Sequence, residues 1–168
     1  MVKPDNDITL EELQAILAQV PDPEIPVLSI VDLGILRDIR IDNGHIGIFI
    51  TPTYSGCPAM DIIRMQIRMT LIQADIENFT IHTVLSPAWT TDWMTREAKE
   101  KLESYGIAPP PPVPQVCHLD LFQRQQAIRC PRCHSFHTTL ISQFGSTPCK
   151  ALYRCEDCHE PFDHFKCH

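Results

Sequence analysis

ILRDIRIDNGHIGIFIT, residues 35–51, decides the fold of the first half of the chain. Ile35, Leu36, Ile39 and Ile41 mark a strand, Asp42-Asn43-Gly44 supplies turn chemistry, and Ile46 to Thr51 form a returning strand. The stretch predicts a β-hairpin. Upstream, Thr9-Leu10-Glu11-Glu12 has the form of a capping box, and Leu10, Leu13, Ile16, Leu17 and Val20 follow at helical spacing until Pro21 stops them. Downstream, Pro58 can open a helix at its first position, where its missing N–H costs nothing, with apolar residues continuing through Ile63, Ile67 and Leu71. Phe79 to Leu85 read as a strand. A last helix begins near Thr95, with Ala98, Leu102 and Tyr105 on one face and Gly106 placed to end it. The order αββαβα predicts a small α+β domain.

That domain ends where Pro109-Pro110-Pro111-Pro112-Val113-Pro114 begins, a run expected to form a polyproline II rod of about 20 Å. The organisation expected is residues 1–108, a linker at 109–114, and a second unit at 115–168. A proline-rich edge loop within one domain is the alternative. In the second unit Phe136, Leu140 and Phe144 recur on an even register, and β-like pieces follow around Ala151–Arg154 and Phe162–Lys166. A unit of this size holds a core with difficulty unless a metal or crosslinks assist.

The whole chain has 168 residues, 43% hydrophobic and 21% charged, enough to bury a core and exclude disorder as the main state. No apolar run approaches the roughly 20 residues of a spanning helix, and MVKPDNDITLEELQ has neither a basic start nor an apolar stretch. A soluble, unexported, cytoplasmic protein without membrane partners is expected. Residues 1–108 carry 8 Lys+Arg against 16 Asp+Glu, a net of −8, and residues 115–168 carry 6 against 5, a net of +1. Neither half has the basic surplus of a nucleic-acid binder.

Eight cysteines in a reducing compartment argue for metal or thiol chemistry over disulfides. Six of them, and five of the eight histidines, lie in the last 39 residues. Cys130-Pro131-Arg132-Cys133 and Cys155-Glu156-Asp157-Cys158 are two C-x-x-C pairs, each presenting two thiolates from one tight turn to one side of a tetrahedral ion. One structural zinc on Cys130, Cys133, Cys155 and Cys158 is expected, with an iron–sulfur cluster as the alternative. His134 and His159 directly follow the pairs, where the chain favours positive φ, and read as turn residues. Cys149, Cys167, His134, His159, His164 and His168 are surplus donors, each an alternative member of the quartet, and Cys149 reads as a buried or a reactive thiol. No open coordination position or neighbouring base is evident, so the site is expected to stabilise its unit.

Cys57, in Thr53-Tyr54-Ser55-Gly56-Cys57-Pro58, lies between a strand and a helix start, where unpaired N–H groups and the helix dipole favour the thiolate. A nucleophilic, metal-seeking thiol and a buried structural cysteine are both open there. Asp22-Pro23-Glu24 and Asp32-Leu33-Gly34 read as turn and cap chemistry, and Trp89 and Trp93 as core or lid aromatics.

Across residues 8–105, Asp-Pro-Glu at 22–24, Asp-Leu-Gly at 32–34 and Thr-x-x-Gly-Cys-Pro ending at Pro58 resemble cytosolic iron–sulfur assembly factors, including the SufT-type proteins. With Phe144 to Cys155 and the ending Glu160-Pro161-Phe162-Asp163-His164-Phe165-Lys166, the whole chain resembles the D subunits of bacterial phenylacetyl-CoA epoxidase systems. The resemblance implies an accessory role in aerobic phenylacetate degradation, without catalysis of its own. A di-iron oxygenase and a flavin and iron–sulfur reductase are the implied partners. It also implies that Cys57 is the functional thiol, holding or passing iron or a cluster transiently, that Asp22, Glu24 and Thr53 are its neighbours, and that the ribbon docks on the client. Self-association is left open. An iron–sulfur electron-transfer component of the same complex is the competing reading, ahead of a thiol enzyme built on Cys57 and a nucleic-acid-binding ribbon.

Overall fold

The computed structural model describes residues 8–54, 56–111 and 128–166. Pro112, Val113 and Pro114 of the expected linker, and Cys117, Cys167 and His168, lie outside the described residues. Contacts divide the chain into two compact units, Met1–Trp93 and Met94–His168.

The first unit opens with α1, Leu10–Leu17, capped as its sequence predicts: Glu12 N–H donates to Thr9 Oγ1 at 3.2 Å and Thr9 N–H donates to the Glu12 carboxylate at 3.0 Å. The helix ends before Val20, because Gln19 and Val20 donate to Ile16 and Leu17 three residues back and tighten the last turn. The hairpin of β1, Leu36–Asp42, and β2, His45–Ile50, is antiparallel with Asp42 opposite His45. Asn43 and Gly44 form a two-residue turn at φ 49° and 78°, the pairing of signs that matches strand twist. After α2, Ala59–Gln73, the strand β3, Phe79–Thr83, pairs parallel with β2 in a sheet ordered β1-β2-β3. Ile46, Ile48 and Ile50 of β2, Ile63, Ile67 and Leu71 of α2, and Leu13 and Leu17 of α1 are buried, and α1 packs on both α2 and β1. Trp89 is a core aromatic whose Nε1 donates to Leu33 O at 2.8 Å, whereas the Arg37 guanidinium lies 3.4 Å over the Trp93 ring.

The second unit begins with α3, Arg96–Tyr105, whose N-cap Thr95 accepts from Ala98 N–H and whose C-cap Gly106 is left-handed at φ 93°. Its sheet has the order β4-β7-β6-β5, with β4 at Ile107–Ala108, β5 at Thr138–Ser142, β6 at Lys150–Cys155 and β7 at Pro161–Phe165. The sequence places α3 and the residues after it with the first domain. The contacts place them with the ribbon, because Ile107 and Ala108 pair in parallel with Asp163 and His164 and because Glu103 of α3 meets Arg129 and His134, each at 3.4 Å. The ribbon's apolar cluster is Ala108, Ile128, Cys130, Cys155 and Phe162, with Tyr153 stacked against Phe162 at 5.9 Å. Two of those five residues are cysteines, so the core is small and leans on whatever joins them. The architecture is α+β, and no helix among the described residues is long and apolar enough to cross a membrane.

Candidate metal centre and functional thiol

The two C-x-x-C turns are built alike. Cys130 N–H donates to Ser135 O at 2.8 Å and Cys155 N–H to Glu160 O at 3.0 Å, so each turn closes on the residue two beyond its second cysteine. Closing so tightly demands a left-handed residue, and His134 and His159 take φ of 63° and 61°, as their turn reading requires. The strands β5 and β6 carry one turn to the other. The four sulfurs lie within 4.8 Å of one another, with Cys130 and Cys158 Sγ 3.8 Å apart and Cys133 and Cys155 Sγ 3.4 Å apart.

Four thiolates at the zinc–sulfur bond length of about 2.3 Å stand about 3.8 Å from one another on a tetrahedron, so the quartet fits zinc. The sulfurs share their protons unequally, Cys133 keeping its own while Cys155 gives its up more easily. A backbone hydrogen bond from Ser135 favours the Cys133 thiolate, but the sulfurs of Cys155, Cys158 and Cys130 push its thiol up to about 12. The N–H of Cys158, aided by that of Asp157, brings Cys155 down to about 7 against its burial. A divalent cation held by these four sulfurs would favour all four thiolates and release the protons that remain. Bound there, zinc supplies a four-way crosslink with no open position, which is stability and not catalysis. A clamp lies beside the quartet: Ser135 Oγ donates to Asp157, and His137 Nδ1 stands 3.2 Å from the same carboxylate, tying one turn to the other. Cys149 is placed elsewhere, its buried sulfur 3.0 Å from Thr147 Oγ1.

In the first unit, the loop from β2 to α2 holds Cys57. Gly56 takes φ +82°, a conformation that side chains resist, and a β-carbon there would meet nothing within 4 Å beyond its chain neighbours, so backbone geometry is what selects glycine there. Cys57 N–H donates to Tyr54 O at 3.2 Å, and Cys57 O accepts from Met60 N–H at 3.3 Å. Pro58 is the N-cap of α2, one place earlier than the first helical position its sequence suggests. The half-buried Cys57 sulfur lies by the Ala59 N–H and the Tyr54 and Thr53 side chains, which favour its thiolate, and feels the Glu24 carboxylate, which opposes it.

Burial outweighs the helix-start effect that the sequence suggests for this thiol, and with Glu24 it holds the pKa above the ordinary range. Thr53 and Glu24 are thus brought to the sulfur. Asp22 does the work of a turn residue: its Oδ1 accepts from the N–H groups of Glu24 and Ile25, both at 2.8 Å, and so aims Glu24. Sequence reasoning misses Tyr54, because three residues' separation within one loop gives no periodic signal. In the Asp32-Leu33-Gly34 turn the carboxylate accepts from Ser29 N–H and Oγ at 2.9 and 3.0 Å.

Residues 115–166 match the family model of the PaaD zinc beta ribbon domain, and residues 10–78 match that of the iron–sulfur cluster assembly protein. The chain is 52% identical over 159 residues to the D subunit of the putative 1,2-phenylacetyl-CoA epoxidase of Escherichia coli (strain K12), covering 94% of this chain and 93% of that one. It is 37% identical over 91 residues to the Fe-S protein maturation auxiliary factor YitW of Bacillus subtilis (strain 168), covering 53% of this chain and 88% of that one. Among solved structures, a domain of unknown function, DUF59, from Bacillus anthracis is similar at 32% identity and a TM-score of 0.51, over 55% of this chain and 89% of that one. With both domains matched and near-complete coverage of the Escherichia coli relative, the chain belongs to the family of phenylacetyl-CoA epoxidase D subunits, an iron–sulfur assembly domain joined to a zinc ribbon.

Proposed function

We propose that this protein is an accessory maturation factor of a phenylacetyl-CoA epoxidase system in aerobic phenylacetate catabolism. It assists assembly of the iron–sulfur or di-iron cofactors of the oxygenase or reductase subunits, and Cys57 is its working thiol. The observation that carries the reading is the setting of that sulfur: a half-buried thiol beside Glu24, Thr53 and the Ala59 N–H, within the span that matches the iron–sulfur cluster assembly family.

The chemistry of that setting suits a transient cationic guest. Burial and the Glu24 carboxylate disfavour a bare thiolate, and the same negative neighbour favours iron once it arrives and displaces the thiol proton to solvent. One thiolate and one carboxylate make an incomplete coordination shell, which leaves room for ligands from a client and makes release easy. The auxiliary factor YitW, to which this chain is similar, bears a name in keeping with the reading. The zinc site of Cys130, Cys133, Cys155 and Cys158 takes no part in this chemistry and holds the ribbon folded.

Cys57→Ser tests the reading. Oxygenase and reductase subunits produced beside that variant are expected to contain less iron and less cluster than those produced beside the native protein, with the variant itself present at equal level. Full loading beside Cys57→Ser contradicts it.

A further inference from the structure

The helix that starts beside Cys57 is apolar on two sides. Ala59, Met60, Ile63, Ile67 and Leu71 of α2 are buried, as an amphipathic helix requires. Yet Ile62, Met65, Met69 and Ile72 are 45%, 55%, 52% and 56% exposed. At about 100° per residue these four fall within an arc of about 80° on the side opposite the buried one, and they run for about 15 Å along the axis. Their spacing of three, four and three residues is that of the seam by which one helix receives another. Single exposed apolar residues are ordinary; a continuous stripe of four large ones marks a surface that is covered in use.

Charge selects the occupant. The unit Met1–Trp93 carries 5 Lys+Arg against 13 Asp+Glu, so its cations are few. Arg37 is stacked on Trp93, Arg40 is paired with Asp38 at 2.7 Å, and Arg64 is held by Asp61 at 2.9 Å and by Thr83. Arg68, exposed on the flank of the stripe, makes no ion pair among the described residues. A second copy of this acidic unit is a poor match, because a two-fold axis through the middle of the stripe, between Met65 and Met69, sets Arg68 against Arg68. An apolar-faced helix from another protein that sets one carboxylate opposite Arg68 matches. Methionine at the two central positions adapts its shape to such a partner at little cost.

We propose that the outward stripe of α2, Ile62, Met65, Met69 and Ile72 with Arg68 at its flank, is the docking surface for an amphipathic helix of the client subunit. That helix presents apolar residues at three- and four-residue spacing and a carboxylate facing Arg68. This rests on the maturation reading above and gives it a place: Ile62 is five residues beyond Cys57, so a helix docked along the stripe has one end at the thiol.

The test uses the full-length protein and, as probes, the purified metal-free oxygenase and reductase subunits, each titrated calorimetrically. Met65→Glu/Met69→Glu is expected to weaken binding to one of them by roughly tenfold or more, Arg68→Glu by several-fold, and Arg68→Lys hardly at all. All are expected to melt at the native temperature, since the altered side chains face outward; should the double variant fail to fold, Arg68→Glu and Met65→Gln/Met69→Gln carry the test. The proposal is overturned if the stripe variants bind as the native chain does, if Phe144→Ser on the ribbon abolishes binding that they retain, or if neither probe binds the native chain. A native dimer that the stripe variants convert to a monomer, with client binding unchanged, gives the stripe to a second copy and overturns it too. Full loading beside Cys57→Ser together with lost binding in the stripe variants ends the thiol reading alone. Intact binding in the stripe variants together with poor loading beside Cys57→Ser ends the docking proposal alone.

Discussion

At Cys57 two opposing effects act on one sulfur. The Ala59 N–H stabilises the thiolate as a helix start should, but burial and the Glu24 carboxylate act the other way and prevail. Glu24→Gln removes one raising influence, so the variant's thiol is expected to ionise at lower pH and to react faster with iodoacetamide near neutrality, read as a shifted pH–rate profile of alkylation. An unchanged profile separates Glu24 from the thiol. His164 shows the same physics in the ribbon: burial brings it down to about 4, against the help of its bond to Ala108 O at 3.1 Å. Because its unfolded value is 6.5, the unfolded chain binds the extra proton first, and stability is lost as pH falls from about 6.5 towards about 4. The loss reaches about 3 kcal/mol at the lower end. His164→Gln is expected to show a shallower decline across that window in urea unfolding, since protonation of the zinc thiolates is common to both proteins. Equal slopes refute the assignment.

Elements follow their local signals where those signals are short-range. The Thr9–Glu12 capping box, the Asn43-Gly44 turn, the Thr95 N-cap and the Gly106 C-cap are each legible because residues a few positions apart satisfy each other's backbone groups. Long-range pairing is not legible in this way. β4 is two residues long, and nothing around Ile107–Ala108 announces strands that arrive more than fifty residues later. The outward stripe of α2 is also hidden in the sequence, because Ile63, Ile67 and Leu71 satisfy the amphipathic pattern and the extra Met and Ile residues blend into general hydrophobicity. The Asp32-Leu33-Gly34 turn shows tertiary structure fixing a residue type. Gly34 sits at φ +67°, and a β-carbon there would stand 2.8 Å from the Trp93 backbone oxygen and β-carbon. Gly34→Ala is expected to cost about 2–3 kcal/mol, from strain and overlap together, measured by denaturant unfolding followed by tryptophan fluorescence. A loss under about 0.5 kcal/mol, the range of neutral surface changes, contradicts the close approach.

On the scale of the molecule, the thiol proposed to work and the cysteine quartet that fits zinc lie in different units. The acidic unit has an extensive core of its own and holds Cys57, whereas the ribbon's cluster of five includes two of the four cysteines that fit a zinc ion, and so small a core gains stability from such a crosslink. The C-x-x-C pairs are readable in the sequence because ligand spacing is a covalent constraint on tight turns, and the sulfurs meet where that spacing puts them. The reach of the ribbon's sheet back to β4 is not, since a proline run reads as a joint whether or not the residues before it pair beyond it. The role proposed for Cys57 is suggested in the sequence only through resemblance, because a cysteine at a helix start is chemically ambiguous by itself.

The most direct test of this division is elemental analysis with a visible spectrum, on anaerobically purified full-length protein and on its Cys57→Ser and Cys130→Ser/Cys155→Ser variants. One zinc per chain is expected in the native protein and in Cys57→Ser, lost in the double variant, with no visible absorption from the quartet. A brown protein whose iron and colour persist in Cys57→Ser and vanish in the double variant would place a cluster in the ribbon and contradict the account.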